Sequence, residues 1–267
     1  IFPALIVCVM LCVFVLGPLL TTAADYWNSP QTWKYLWKNI VLGRTQYFLP
    51  GVFESLPNKA VNGSLWSLPI EFRLYLLLGL LAVLRLFRPN RFNALYILAM
   101  VLGLMIYGDQ ALKPEKSNLA WCTAYFLTGS FAWVNRARIP LSWPLLLAVL
   151  VFAAALRGSE RYHIGYFVAV TYTTLFLAYV PKLPRIRHHD LSYGLYLYGW
   201  PSQQLVQHFA PGGAIANTLW ATLLAGSLAA LSWRFVEQPA LRLKQRLGTR
   251  ASQQTQAPAP GDVPVSR

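Results

Sequence analysis

The sequence predicts an all-α integral membrane protein, and three observations carry that expectation. Of 267 residues, 56 % are hydrophobic and 12 % charged, whereas a soluble domain has about 25 % charged residues. Apolar stretches recur along nearly the whole chain, and mean hydropathy is +0.42. From Leu191 to Trp233 no Asp, Glu, Lys or Arg occurs. No ten-residue alternating pattern points to a barrel, and an open sheet cannot satisfy its backbone in lipid. The net charge of +14 would suggest nucleic acid in a soluble protein. Here the positive-inside rule accounts for it without such a partner.

Residues 1–20 are uncharged and long enough to span a bilayer. The chain opens directly in this run, without a basic n-region or a cleavage site, so we read it as a fragment starting at the edge of a helix rather than a signal peptide. Residues 21–60 form a long polar and aromatic loop. Within it Trp33, Leu36, Trp37 and Ile40 recur at helical spacing beside Lys34 and Lys38, which predicts a helix lying in the membrane interface. Further spans are expected at about 66–86, 92–107, 117–134, 143–156, 162–180, 191–209 and 214–233. Pro211-Gly212-Gly213 divides the last two. The expectation is about eight transmembrane helices within a single domain, 1–248, followed by a disordered Gln-, Ala-, Pro- and Ser-rich tail, 249–267.

Lys and Arg set the expected orientation. The loops after the second, fourth, sixth and eighth spans hold Arg85, Arg88 and Arg91; Arg136 and Arg138; Lys182, Arg185 and Arg187; and Arg234, Arg242, Lys244, Arg246 and Arg250, with Arg267 in the tail. They outnumber the opposite set, Lys34, Lys38, Arg44, Lys59, Lys113, Lys116, Arg157 and Arg161. The richer side should be cytoplasmic, with both chain ends on it and Glu71 near the outer surface.

Cys8, Cys12 and Cys122 are an odd number with no ligand-spaced partners. We expect buried apolar thiols, with neither a disulfide framework nor a metal site. His188 and His189 sit in a basic inner loop. His163 and His208 lie near outer helix ends, where either has the chemistry of a general base but no carboxylate partner in sequence.

Glu71 and Arg73 are ionisable groups just inside an apolar helix, a placement that costs about 2.5–3.5 kcal/mol each and marks function by default. Two residues apart, they point to nearly opposite sides and cannot pair. Tyr75 follows on the Glu71 face. Helix capping is the alternative: Pro69 suits a first helical position, but the capping box wants Ser or Thr where Leu68 stands. Farther on, Asp190 suits an N-cap. Ser192, Tyr196 and Trp200 line one face, and Pro201 should kink the helix. Such hydroxyls are either interhelical glue or the polar lining of a ligand path. Arg234 and Glu237, three apart, can pair.

Asn62-Gly63-Ser64-Leu65-Trp66-Ser67-Leu68-Pro69-Ile70-Glu71-Phe72-Arg73-Leu74-Tyr75 resembles the signature of the membrane-bound acyltransferase 3 family. Ser192-Tyr193-Gly194-Leu195-Tyr196-Leu197 is similar to a second signature, and Phe235-Val236-Glu237-Gln238-Pro239 resembles the closing element. The likeness covers Ile1 to about Leu243. It implies a ten-helix family fold whose third helix begins near Ile1, in the bacterial inner membrane. It implies transfer of an acyl group, often acetyl, from cytoplasmic acyl-coenzyme A to a hydroxyl of a sugar, cell-surface polysaccharide or other glycoside. The implied partners are membrane lipids, acyl-coenzyme A and that acceptor, with no metal. Glu71 is the implied catalytic position. Asn62, Ser64, Trp66, Arg73, Tyr75, Ser192, Tyr193 and Tyr196 are candidates for acceptor binding. The family's catalytic His and its coenzyme A-binding Arg-x-x-Arg belong upstream of Ile1. Arg85 and Arg88 match the latter's spacing but not its location, so the cofactor ligands are unassigned. The alternatives are a secondary transporter with Glu71 and Arg73 on its path, for which no inverted repeat is visible, and a scaffold without activity.

Overall fold

A computed structural model describes residues 1–21, 24–107, 117–181 and 190–245. The expected outer-loop cations Lys113 and Lys116, the inner-loop residues Lys182, Arg185, Arg187, His188 and His189, and the tail 249–267 lie outside the described residues. Among the described residues the chain is helical throughout, with no strand. Each expected span holds a helix: α1 (Phe2–Leu20), α3 (Leu68–Val83), α4 (Pro89–Tyr107), α5 (Asn118–Val134), α6 (Trp143–Ala155), α7 (Tyr162–Tyr179), α8 (Ser192–Phe209) and α9 (Ala214–Ser232). A shorter helix, α2 (Pro30–Ile40), lies in the first loop. Four of the described helices are long and apolar enough to cross a membrane: Phe2–Leu20, Gly63–Val83, Pro89–Ile106 and Ala214–Gln245. Val83, Met105, Ile106 and Ile215 are each more than 70 % exposed, an arrangement suited to lipid rather than water.

The chain divides into two compact units, one of Ile1–Pro69 with Ile186–Arg267 and one of Ile70–Arg185. In the first unit α1 packs on α2 and α8, and α8 packs along α9. A Cβ on Gly194 of α8 would lie 2.8 Å from the Cβ of Ala229. The two backbones therefore meet through small residues, as helices in lipid commonly do. Ala221, Ala225, Ala229 and Ser232 form the buried stripe of α9.

Two helices in this unit widen into a π-turn just before a proline. In α1 the π-turn is Cys12–Leu16, and the Gly17 N–H donates to Cys12 O, one residue beyond the usual partner. The carbonyl of Val13 loses its regular donor, and the next N–H in line would be that of Pro18, which has none. The Tyr26 hydroxyl donates to that carbonyl at 2.8 Å. Gly17 makes the approach possible, because a Cβ there would stand 1.9 Å from the Tyr26 oxygen. In the extension of α9 the π-turn Trp233–Glu237 has the same relation to Pro239, with Gln238 N–H donating to Trp233 O. The expected Arg234–Glu237 pair does not form. Glu237 accepts from the Ser232 hydroxyl at 3.0 Å, and Arg234 lies over the Phe235 ring.

The α2 helix starts at Ser29, whose hydroxyl accepts from Gln31 N. Its buried face is Thr32, Tyr35, Leu36 and Asn39, so Trp33 and Trp37 point outward beside the lysines. Of the expected interfacial stripe, Leu36 is buried and Ile40 partly so, while Trp33 and Trp37 stay exposed. Asn39 exchanges two hydrogen bonds with the Gln46 backbone, at 2.9 and 3.0 Å, and ties down the returning loop.

In the second unit α4 pairs with α5, α6 with α7, and α5 with α7. Asn93 and Asn135 bond each other reciprocally at 2.8 and 3.2 Å, and Tyr96 meets Thr128 at 3.0 Å. These are polar cross-links of the kind that join helices where water is absent. The rings of Tyr125 and Phe167 pack at 4.5 Å. Arg85, Arg88 and Arg91 are exposed in and after the turn between α3 and α4.

Candidate active site

In the first unit the Asn-Gly-Ser-Leu-Trp stretch docks against one face of α8. The loop arrives extended, turns through a 3₁₀ segment, Gly63–Trp66, and enters α3 at Leu68. Proline chemistry explains the docking. Pro201 lies inside α8 and has no N–H to give to the carbonyl of Leu197, four residues earlier. The Asn62 side chain supplies the missing donor, Nδ2 to Leu197 O at 2.9 Å, and the Cys8 thiol reaches the same carbonyl at 3.6 Å. The other end of the Asn62 amide accepts from Ser64 N at 3.0 Å and so caps the 3₁₀ turn. Asn62 is wholly buried, which suits an amide whose donor and acceptor both have partners.

The next turns of α8 continue the clasp. Tyr196 donates to the Ser64 carbonyl, and its hydroxyl lies 2.8 Å from the Ser67 hydroxyl. Trp200 Nε1 donates to Ala60 O at 3.0 Å. Gln204 Nε2 donates to Asn58 O and Ala60 O, at 2.6 and 2.8 Å. Gly63 lies on the Trp200 indole so closely that a Cβ would come within 2.8 Å of it. Residues 196, 200 and 204 are one helical face. The expected face stopped at Trp200, and adding four to that number would have found Gln204. Ser67 had no signal of its own.

The remaining expected residues sit apart. Ser192 is exposed, and its hydroxyl donates to Asp190 Oδ1 at 2.6 Å, while Ser192 N donates to the same oxygen at 3.1 Å. Those two bonds hold the Asp190 carboxyl below the usual carboxylate range. Leu191, not Asp190, is the N-cap of α8. Tyr193 donates to Ile1 O at 2.9 Å and lines a cavity of about 360 Å³ with Glu237 and Lys244. Trp66 is half-buried. His208 packs against the rings of Phe53 and Phe209.

Glu71, Arg73 and Tyr75 belong to the second unit. Glu71 is half-buried in the first turn of α3. Tyr75 packs its ring on Phe126 at 5.8 Å. Arg73 lines a cavity between α3, α4 and α5. His163 rests beside the Tyr162 ring. Among the described residues no cluster of three metal-ligating side chains occurs.

Comparison with known proteins bears on what such a chain does. It is 26 % identical over 250 residues to an "O-acetyl transferase" of Shigella phage Sf6, an alignment covering 89 % of this chain and 73 % of that protein. It is 27 % identical over 244 residues to the "O-acetyltransferase OatA" of Staphylococcus aureus, covering 78 % of the chain and 39 % of the relative. Both of these likenesses are to proteins named for O-acetyl transfer. A further match, 29 % identical over 216 residues, is to "Nodulation protein 10" of Rhizobium leguminosarum bv. viciae, covering 71 % of the chain and 57 % of that protein. The chain thus corresponds to only part of OatA and of the nodulation protein. No protein-family profile matches it, and no solved structure does.

Proposed function

We propose that this chain works as, or within, a bacterial inner-membrane O-acyltransferase. It moves an acetyl or other acyl group from cytoplasmic acyl-coenzyme A to a hydroxyl of a sugar, surface polysaccharide or glycoside. One observation carries the reading: likeness to a protein named O-acetyl transferase runs over 89 % of the chain. Eight membrane crossings, with both ends in the cytoplasm, complete the proposal. Glu71 supports the reaction by orienting or charge-stabilising the group that removes the acceptor proton. Asn62, Ser64 and Tyr196 hold the loop that leads to α3, while Trp66, Arg73, Tyr75, Ser192 and Tyr193 offer rings, hydroxyls and a cation to an acceptor.

The test uses membranes bearing the full-length protein and labelled acetyl-coenzyme A. Glu71→Gln keeps the volume and removes the charge. A role in the reaction predicts a loss of about 10²–10³ in transfer, the scale of removing one electrostatic support. A helix-start decoration would lose only about 0.3–1 kcal/mol of dipole interaction and leave transfer nearly intact. Glu54→Gln, at an exposed position in the outer loop, is the control and should be silent. Near-normal transfer by Glu71→Gln at matched abundance removes the residue from the site. Substrate uptake without coenzyme A consumption would favour a transporter.

A further inference from the structure

The cavity lined by Arg73 has a form that acyl transfer does not call for. Its volume is about 370 Å³, within the range of about 300–1,000 Å³ typical of ligand pockets. Its walls come from the first turns of α3, the last turns of α4 and the first turns of α5, all at one end of these three helices. They are apolar, Leu77, Met100 and Leu127 among them, with Thr123 the one hydroxyl. Gly103 opens the α4 wall, since a Cβ there would touch nothing within 4 Å.

Arg73 stands one turn inside α3, at that same end. It is exposed and makes no hydrogen bond or ion pair among the described residues. A guanidinium recognises phosphate in a planar, two-pronged geometry that an ammonium cannot reproduce. A similar cavity of about 310 Å³ farther along the unit is lined by Arg136. There the guanidinium already donates to Trp133 O and stacks on the Trp133 ring at 4.5 Å. Of these two arginines, Arg73 is the one whose donors have no partner among the described residues.

We propose that this cavity holds a membrane lipid with an anionic phosphate headgroup, its phosphate on Arg73 and one acyl chain between α4 and α5. Two features select that occupant. The apolar walls from α3 and α4 belong to helices of membrane-crossing length and admit a hydrocarbon chain, and a guanidinium without a partner among the described residues selects negative charge over a zwitterion. Arg73 would then serve a lipid rather than an acceptor, while acyl transfer itself does not depend on that choice; the test therefore measures binding and not activity, and its failure leaves the acyl-transfer reading standing.

Full-length protein is placed in phosphatidylcholine nanodiscs containing a phosphatidylglycerol probe or a phosphatidylcholine probe at equal mole fraction, each with a diazirine on its acyl chain. Labelled peptides are mapped. The phosphatidylglycerol probe should label the segments around Met100 and Thr123 about fivefold more than the phosphatidylcholine probe, the scale of one Arg–headgroup contact. Arg73→Gln should bring that ratio to about one, and Arg73→Lys should keep part of it. Gly103→Phe should suppress labelling by both probes, because the ring fills the opening. Equal labelling by the two probes in the unsubstituted protein means ordinary surrounding lipid and overturns the proposal, with no variant needed. A ratio that survives Arg73→Gln overturns it too. Displacement of the probe by long-chain acyl-coenzyme A, but not by phosphatidylglycerol, would assign the cavity to the acyl donor instead.

Discussion

Asn62 shows how much one side chain can settle. Its amide has a donor end and an acceptor end, and the fold uses both, on Leu197 O at 2.9 Å and Ser64 N at 3.0 Å. The demand for the first comes from Pro201, which strips Leu197 of its helical partner. A buried carbonyl left without a donor costs about 1–3 kcal/mol. Asn62→Ala should therefore lower the thermal midpoint of the detergent-purified protein. Placing Pro201→Ala in the same chain returns a backbone N–H to the helix, so the Asn62→Ala penalty should shrink by about the worth of one hydrogen bond, 0.5–1.5 kcal/mol. Strictly additive losses in the double variant would mean that Asn62 is not the substitute donor. In the sequence Asn62 opens the first signature and Pro201 lies beyond the second, 139 positions on, and only the folded chain shows that one answers the other.

At the level of elements, helices were legible and their irregularities were not. Every stretch expected to span holds a helix, because sustained apolar runs in lipid leave the backbone no other way to satisfy itself. The π-turns at Cys12–Leu16 and Trp233–Glu237 escaped notice. The prolines after them were visible, but the remedy at Val13 depends on Tyr26 and on the missing Cβ of Gly17, which spacing alone does not connect. On α2 the aromatics divide: Tyr35 packs inward, while Trp33 and Trp37 are exposed beside the lysines, as suits a helix at the membrane interface. The start of α8 was shifted by one residue, with Asp190 bonding Ser192 from outside the cap. That bond makes a pH prediction. The folded pKa of Asp190 is lowered, first by the Ser192 hydroxyl and then by its N–H. Its contribution is full above the unfolded value of about 3.9 and lost as pH falls through the lower folded value. Amide exchange in the first turn of α8, corrected for intrinsic rates, should therefore loosen only below that unfolded value. Asp190→Asn keeps an acceptor for Ser192 and should flatten the profile. The same pH response in Asp190→Asn would assign it to another group.

For the whole molecule, the decisive quantity is which side each loop occupies, since acyl-coenzyme A is cytoplasmic and the proposed acceptor is not. The charge distribution supplies the expectation. Arg85, Arg88 and Arg91 are exposed around the turn from α3 to α4, and Arg136 and Arg138 are exposed after α5. Lys34 and Lys38 lie on the exposed side of α2, and Lys59 is exposed in the loop ahead of α3. Short loops rich in Arg stay cytoplasmic during insertion. In the proposed topology α3 joins the two sides: it begins beside the Asn62 loop and ends at the Arg85 turn, so its first turn, with Glu71 and Arg73, should lie toward the outside. Reporter fusions after Arg91 and after Arg138 should read cytoplasmic, and a fusion at Lys59 should read external. The three positions must agree, because each is separated from the next by an odd or even number of proposed crossings: one from Lys59 to Arg91, two from Arg91 to Arg138. A cytoplasmic reading at Lys59 together with external readings at the other two would invert the protein. Glu71 would then face the acyl donor rather than the acceptor, and its proposed part in taking the acceptor proton would fail. Unlike readings at Arg91 and Arg138 would instead mean that α4 and α5 do not both cross.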